Sequence, residues 1–287
     1  FFSASMTMDI SNQNKLSEFY EELKRLNIKI IRPDINQCFA EFIADDNNFY
    51  YALGGIKNVG FEAVSNIVKE REKNGKYSSI NDFINRVNPK DINKLQLEGL
   101  VKAGAFDNLN INRRSLYDSI PNLILKSKNV FDNKATNQID LFLNDKNNED
   151  NILEKSEDWN FEERLSKEFE AVGFFISDHP LNQYRDIFNE YKIIDYIKFN
   201  NKDEIEEANI AATLLKIQEK KTQKGNSYAI LKLTDLSGVF ELFIFSDIFE
   251  LNRKILVEGN SLIITLNKNI TDQTNRFKRI NIKKLTL

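Results

Sequence analysis

The run Leu53-Gly54-Gly55-Ile56-Lys57-Asn58-Val59-Gly60 ends on a glycine just before an apolar-periodic stretch that opens at Phe61. That order suits a helix-hairpin-helix element, in which a tight turn aims the free N–H groups of a helix N-terminus at a DNA phosphate. Such a turn needs a left-handed residue. Gly60 is expected to supply it without steric cost, with Asn58 standing where these hairpins often carry a second glycine. A looser second copy follows: Leu97 to Val101, then Lys102-Ala103-Gly104-Ala105-Phe106, then Asn112 to Ile120 with Arg113 and Arg114 near the next helix start. The expected duplex contacts are Lys57, Asn58, Gly60, Lys102, Gly104, Arg113 and Arg114. The same glycines also serve as ordinary caps in a helical connector, and the sequence leaves both readings open.

A second chemistry lies near the C-terminus. Lys220-Lys221-Thr222-Gln223-Lys224-Gly225-Asn226 joins two strand-like runs, and Arg276, Lys278 and Arg279 extend the basic character into a later strand. Cations in such loops hold the phosphates of a single strand, so Lys220, Lys221, Lys224, Arg276, Lys278 and Arg279 are the expected single-strand contacts. Tyr228, Phe240, Phe243 and Phe245 offer rings for base stacking, but aromatic residues on a strand equally well fill a core, and the lysines are the preferred reading. A third feature is Gln138-Ile139-Asp140-Leu141-Phe142, a short apolar island in an acidic, Asn-rich stretch. It has the form of an exposed linker carrying a docking motif.

No catalytic centre is legible. The sole histidine, His179, has no positioned Ser or Cys partner, and a capping or packing role is expected for it. The sequence contains no Asp-x-Asp pair of the kind that gathers two metal ions for phosphoryl transfer, and its glycine turns lack the Gly-Lys-Ser/Thr ending of a nucleotide-binding loop. No catalytic residue, metal site or cofactor is therefore expected in this chain. The single cysteine, Cys38, excludes an internal disulfide and fits a cytoplasmic location.

The elements that must position these groups follow from periodicity and charge. The net charge of -3 conceals opposite patches: residues 52–128 hold 13 Lys or Arg against 8 Asp or Glu, and residues 209–287 hold 13 against 7. Between them, residues 140–170 hold 11 acidic against 4 basic residues, which repels phosphate. Leu16, Phe19, Tyr20, Leu23 and Leu26 form a helical stripe, and further stripes at Phe61, Val64, Ile67 and Val68 and beyond make 52–128 an all-helical module. After residue 205 the period changes to strands at 209–220, 227–234, 239–245, 261–268 and 276–285, with a helical 246–255 after the third, which is the OB-fold layout. No apolar run approaches the ~20 residues that cross a bilayer. Phe1-Phe2-Ser3-Ala4-Ser5 lacks an initiator Met and a signal-peptide pattern, so the N-terminus reads as a cut.

In order and spacing these pieces resemble the C-terminal portion of the bacterial DNA polymerase III alpha subunit over essentially the whole chain. Arg32-Pro33-Asp34-Ile35-Asn36 resembles the end of that family's fingers, Tyr51 to Gly60 its first hairpin, and Leu100 to Phe106 the next. Gln138-Ile139-Asp140-Leu141-Phe142 resembles its internal clamp-binding motif. Glu168 to Tyr184 resembles its connector, with Asp178 in place of a usual glycine. The resemblance implies a multidomain α+β chain: residues 1–50 as the end of the fingers, 51–128 as tandem helix-hairpin-helix, 129–160 as an acidic linker with the clamp motif, 161–205 as a helical connector, and 206–287 as a five-stranded OB-fold β-barrel. It also implies duplex DNA, single-stranded template, the sliding clamp (beta subunit) and other replicase subunits as partners. The parent would be a DNA-directed DNA polymerase whose catalytic palm lies upstream, leaving this chain inactive alone. An error-prone paralogue shares the hairpins and the OB domain, and a free-standing single-strand-binding adaptor is the alternative from another class.

Overall fold

The computed structural model describes residues 1–136, 153–202, 204–221, 227–268 and 277–285. The chain forms two compact units, Phe1–Ser177 and Asp178–Leu287, and their boundary falls inside the stretch 161–205.

The first unit opens with helices α1 (Phe2–Met8) and α2 (Gln13–Arg25). The α2 stripe buries Leu16, Tyr20 and Leu23, and the Asn12 side chain caps the helix by accepting the Lys15 N–H. Three two-residue strands follow, β1 (Ile30–Ile31), β2 (Ile43–Ala44) and β3 (Phe49–Tyr50), with β3 central, parallel to β1 and antiparallel to β2. Asp45 makes the turn between β2 and β3 by accepting the N–H groups of Asn47 and Asn48. Helices α3 (Phe61–Asn74), α4 (Ile80–Arg86), α5 (Lys94–Lys102), α6 (Arg113–Asp118) and α7 (Ile120–Thr136) complete the helical region, and α8 (Phe161–Val172) returns to it. The α5 start carries a reciprocal capping box between Asn93 and Gln96, and α8 stops at Gly173, whose φ of 90° is left-handed. One apolar core runs from Met6 through Tyr51, Ile56, Ile67, Phe83, Leu100 and Phe106 to Val172 and Ile176.

The second unit begins with a 3-10 helix (Pro180–Tyr184), followed by α9 (Arg185–Phe188) and α10 (Tyr196–Asn201). Its sheet comprises β4 (Glu207–Lys221), β5 (Ser227–Asp235), β6 (Gly238–Phe245), β7 (Ser261–Lys268) and β8 (Phe277–Lys284), with α11 (Ser246–Asn252) between β6 and β7. All pairings are antiparallel, in the order β6-β5-β4-β7-β8. The long β4 serves two partners: residues 207–213 pair with β7 and residues 213–221 with β5, with a bulge between Leu214 and Lys216 where it bends. The tight β5–β6 turn is set by Asp235, whose Oδ1 accepts the N–H groups of Ser237 and Gly238.

The strands and α11 lie close to where the periodicity puts them, but the expected closed barrel is corrected. Among the described residues β6 and β8 do not pair with each other, so the sheet is open. Helix α11 packs against β5, β6 and β8, and so stands between the two edge strands instead of letting them meet.

Candidate nucleic-acid interface

The first hairpin is built from the backbone outward. Leu53 and Gly54 donate their N–H groups to the carbonyls of Phe39 and Ala40, which seats a short 3-10 turn over Leu53–Gly55. The Gln13 side chain donates to the Gly55 carbonyl at 3.0 Å, and the Lys57 N–H donates to the Ala171 carbonyl at 2.9 Å. Gly99 on α5 lies so close behind the turn that a Cβ there would sit 2.8 Å from the Lys57 carbonyl oxygen. Lys57, Asn58 and Gly60 are all exposed at the tip. The left-handed residue is Asn58, with φ 64°, whereas Gly60 has an ordinary φ of -72°. That corrects the expected assignment. Asn tolerates the left-handed region, so the turn closes two positions earlier and Gly60 acts as the N-cap of α3. A glycine cap has no side chain to offer, and the first N–H groups of this 14-residue helix have no side-chain cap. An uncapped, exposed helix N-terminus beside Lys57 attracts an oxyanion.

The second copy is organised differently. Gly104 is left-handed, with φ 80°, and the place of its missing Cβ is occupied by the Arg113 guanidinium. Arg113 is only 4% exposed: Nε and Nη2 donate to the two Asp107 carboxylate oxygens at 2.8 and 2.7 Å, and Nη1 donates to the Lys102 carbonyl. Its Nη1 also lies 3.7 Å from Glu168 Oε2, a carboxylate oxygen of a fully buried residue. Burial works against the Arg113 charge, but the Asp107 bonds and the Asp107, Glu168 and Asp158 charges outweigh it and hold the guanidinium pKa above its usual value. Lys102 is also buried, with its ammonium 3.0 Å from Glu170. At the start of α6 the Asn112 side chain accepts the Ser115 N–H and Asp158 accepts the Arg114 N–H, so these donors are satisfied from within. Lys102, Gly104 and Arg113, expected as duplex contacts, thus face inward, and only Arg114 of this copy is exposed.

In the second unit, Lys220 and Lys221 are exposed at the end of β4. Lys224 and Arg276 lie outside the described residues, and Lys278 and Arg279 fall on β8. The register brings together more than the lysines. Lys220, Tyr228 and Phe245 form one cross-strand row over β4, β5 and β6; Gln218, Ile230 and Phe243 form the next; Lys216, Lys232 and Glu241 form the third. Phe243 and Phe245 are 58% and 59% exposed, while Phe240, Leu242 and Ile244 point to the core and Phe240 stacks on Tyr196. The four aromatic residues therefore divide by strand parity. That signal was present in the spacing, since 240 and 243 differ by an odd number. Lys216 and Lys232, on the same face, were missed because they lie within strands and not in the basic loop.

The docking motif Gln138, Ile139, Asp140, Leu141 and Phe142 lies outside the described residues. His179 caps a 3-10 helix, its Nδ1 accepting the Leu181 N–H. Cys38 is buried against the Arg32 carbonyl, and burial pushes its thiol up to about 12. Among the described residues no three His, Cys, Asp or Glu side chains converge as a metal site, and no helix is long and apolar enough to cross a membrane.

A helical region with an anion-ready hairpin, joined to an antiparallel five-stranded sheet unit, defines a helix-hairpin-helix protein, and a helix-hairpin-helix motif model matches residues 27–116. The particular family follows from its relatives. The chain is 33% identical to the DNA polymerase III subunit alpha of Borreliella burgdorferi, over 100% of this chain and 26% of that protein. It is 30% identical to the subunit of Caulobacter vibrioides, over 96% and 24%, and 31% identical to that of Buchnera aphidicola subsp. Schizaphis graminum, over 100% and 26%. The chain belongs to the DNA polymerase III subunit alpha family and spans about a quarter of the length of these relatives.

Proposed function

We propose that this chain is the template-binding and clamp-tethering segment of a replicative DNA polymerase, working in the cytoplasm. The first hairpin takes a phosphate of duplex DNA on the α3 N-terminus, with Lys57, Asn58 and Gly60 around it and Arg114 as an outlying cation. The observation that carries this is the uncapped, exposed start of α3, held from behind by Ala171, Gln13 and Gly99. The second hairpin works differently, as an internal brace.

The sheet unit takes single-stranded template. The strand order β6-β5-β4-β7-β8 with a helix after β6 supports an OB-fold opened between its edge strands. Lys220 and Lys221, with Lys224, Arg276, Lys278 and Arg279, are the proposed phosphate contacts, and the rings of Phe243, Phe245 and Tyr228 supply stacking surface. Gln138 to Phe142 docks on the ring-shaped clamp, and the remaining replicase subunits assemble around the whole polymerase. The relatives are DNA polymerase III alpha subunits, and the part proposed for this segment is grip on the template and not nucleotide addition.

Fluorescence anisotropy of the purified chain with duplex and single-stranded oligonucleotides, across a salt series, tests this reading. Binding to both is expected to weaken linearly on a log–log plot, because neutralised phosphates release counterions. Lys57→Ala should lower the duplex slope by about one unit while leaving the single-strand slope alone. Salt-independent binding, or no binding to either, would overturn it.

A further inference from the structure

We infer that Glu241, with Lys232 beside it, reads the identity of one base in a three-nucleotide track across the outer face of β4, β5 and β6. The inference rests on the reading that this face binds single strands and adds a sequence preference to it.

Three cross-strand rows define the track: Lys220, Tyr228 and Phe245; Gln218, Ile230 and Phe243; Lys216, Lys232 and Glu241. Rows on one face are two residues apart, or about 6.8 Å at ~3.4 Å per residue. That is about twice the ~3.4 Å step between nucleotides along one duplex strand. Bases that remain stacked on each other cannot follow the rows, whereas an extended strand lays one nucleotide on each.

The rows differ in what they offer. Two present exposed rings, Phe245 and Phe243, and any base can stack there because every base has a π-face. The third presents no ring. It holds two ammonium groups and the exposed Glu241 carboxylate, which has no ion-pair partner within 4.0 Å among the described residues. A carboxylate repels phosphate, so Glu241 cannot hold the backbone. Its two acceptor oxygens can only take donors, and an unstacked base brings donors on its Watson–Crick edge.

Guanine alone among the four bases puts two donors, N1–H and N2–H, side by side to match both carboxylate oxygens, with O6 next to them for the Lys232 ammonium. Thymine offers one N–H between two carbonyl oxygens that face the carboxylate unfavourably. Lys216, at the far end of the row, remains for the phosphate. The third position therefore prefers guanine. The site is open to water, which places the discrimination near the low end of the range for a bidentate base contact, about fivefold to tenfold.

The test is anisotropy competition with the full chain and six-nucleotide DNAs: oligo-dT, and oligo-dT carrying a single dG, dA or dC. The dG-containing strand is expected to bind about fivefold tighter than oligo-dT. Glu241→Ala should abolish that preference while leaving oligo-dT affinity equal to or above that of the unmodified chain, since a negative charge has been removed. Equal binding of all four strands by the unmodified chain, or a dG preference that survives Glu241→Ala, overturns the inference. Phe243→Ala combined with Phe245→Ala tests the underlying reading separately. That pair should weaken all four strands alike, and unchanged oligo-dT binding would remove the stacking face itself.

Discussion

The backbone N–H of Lys57, at the tip of the first hairpin, donates to the carbonyl of Ala171 in the last turn of α8, 114 positions later in the sequence. The last carbonyls of a helix have no partner within it, so α8 completes its own C-terminus and fixes the hairpin with one bond. On the other side of the turn, Gly99 gives α5 its close approach to Lys57 and Val59. The position of the α3 N-terminus is thus set by elements on both sides of the turn, in line with the need to hold a binding group by packing and not by a free loop.

Gly99→Ala tests this relationship. Its Cβ would meet the Lys57 carbonyl at 2.8 Å and Val59 Cγ2 at 3.1 Å, and a backbone oxygen cannot swing away as a side chain can. Overpacking of this kind costs roughly 1–3 kcal/mol, readable in urea denaturation. Duplex affinity is expected to fall several-fold under conditions where the variant is folded, with oligo-dT affinity unchanged. Loss of stability with full retention of duplex affinity would mean that the turn is not the contact.

Arg113 separates a brace from a DNA ligand. Removing one partner of a buried charge cluster leaves the other uncompensated, here the fully buried Glu168, whereas Asp107 keeps Arg164 at 3.1 Å; such a loss typically costs about 3–5 kcal/mol. Arg113→Met should therefore lower unfolding stability by that amount and leave duplex binding intact at temperatures where the protein stays folded. Arg114→Ala, at an exposed position, should do the reverse: a slightly flatter salt slope and little change in stability. A stable Arg113→Met protein with weakened duplex binding would restore Arg113 as a phosphate contact.

These cases show what the sequence reveals and what it withholds. The strands after residue 205 were legible because β-branched and aromatic residues alternate against polar ones at a fixed period, and their ends agree with the observed β4 to β8 within about two residues. The α3 start was legible for a similar local reason. Closure of the sheet was not, because it depends on where α11 comes to rest between distant edge strands. Nor was the burial of Arg113 and Lys102. Their carboxylate partners include Glu168 and Glu170, over 50 positions away, and a charge reads the same in a sequence whether it ends in water or against such a partner. The choice of Asn58 over Gly60 as the left-handed residue was not legible either, because both residue types tolerate that region and the hydrogen bond from Lys57 to Ala171 is a tertiary fact that the local pattern does not contain.

The basic loop supplies a prediction for single strands. Lys220→Ala, Lys221→Ala and Lys224→Ala together should flatten the single-strand salt slope by roughly two units, at about 0.7 per phosphate contact. The duplex slope should not move, since the first hairpin lies in the other unit. If the single-strand slope is the same in the triple variant, the phosphates follow Lys216 and Lys232 on the sheet face and not this loop.

Clamp tethering makes the sharpest demand, because it assigns Leu141 and Phe142 an energetic role in binding and none in folding. Short motifs bind by setting a few apolar anchors into a pocket while a polar group fixes the register, and Leu141 and Phe142 are the anchors proposed here. Gln138 can both donate and accept, which suits the proposed role at the pocket edge. The surrounding stretch is acidic and Asn-rich, with no apolar periodicity to give these side chains a core of their own. Hot-spot anchors typically cost over ~2 kcal/mol of affinity when truncated, a loss of about thirtyfold or more. Leu141→Ala with Phe142→Ala should therefore weaken binding to the cognate clamp by at least that factor, measured by surface plasmon resonance. The melting temperature should stay within about a degree of the unmodified chain, because the proposed role gives the two side chains no part in folding. A clamp affinity equal to that of the unmodified chain moves tethering to another segment, and a melting point several degrees lower shows that Leu141 and Phe142 pack within the fold.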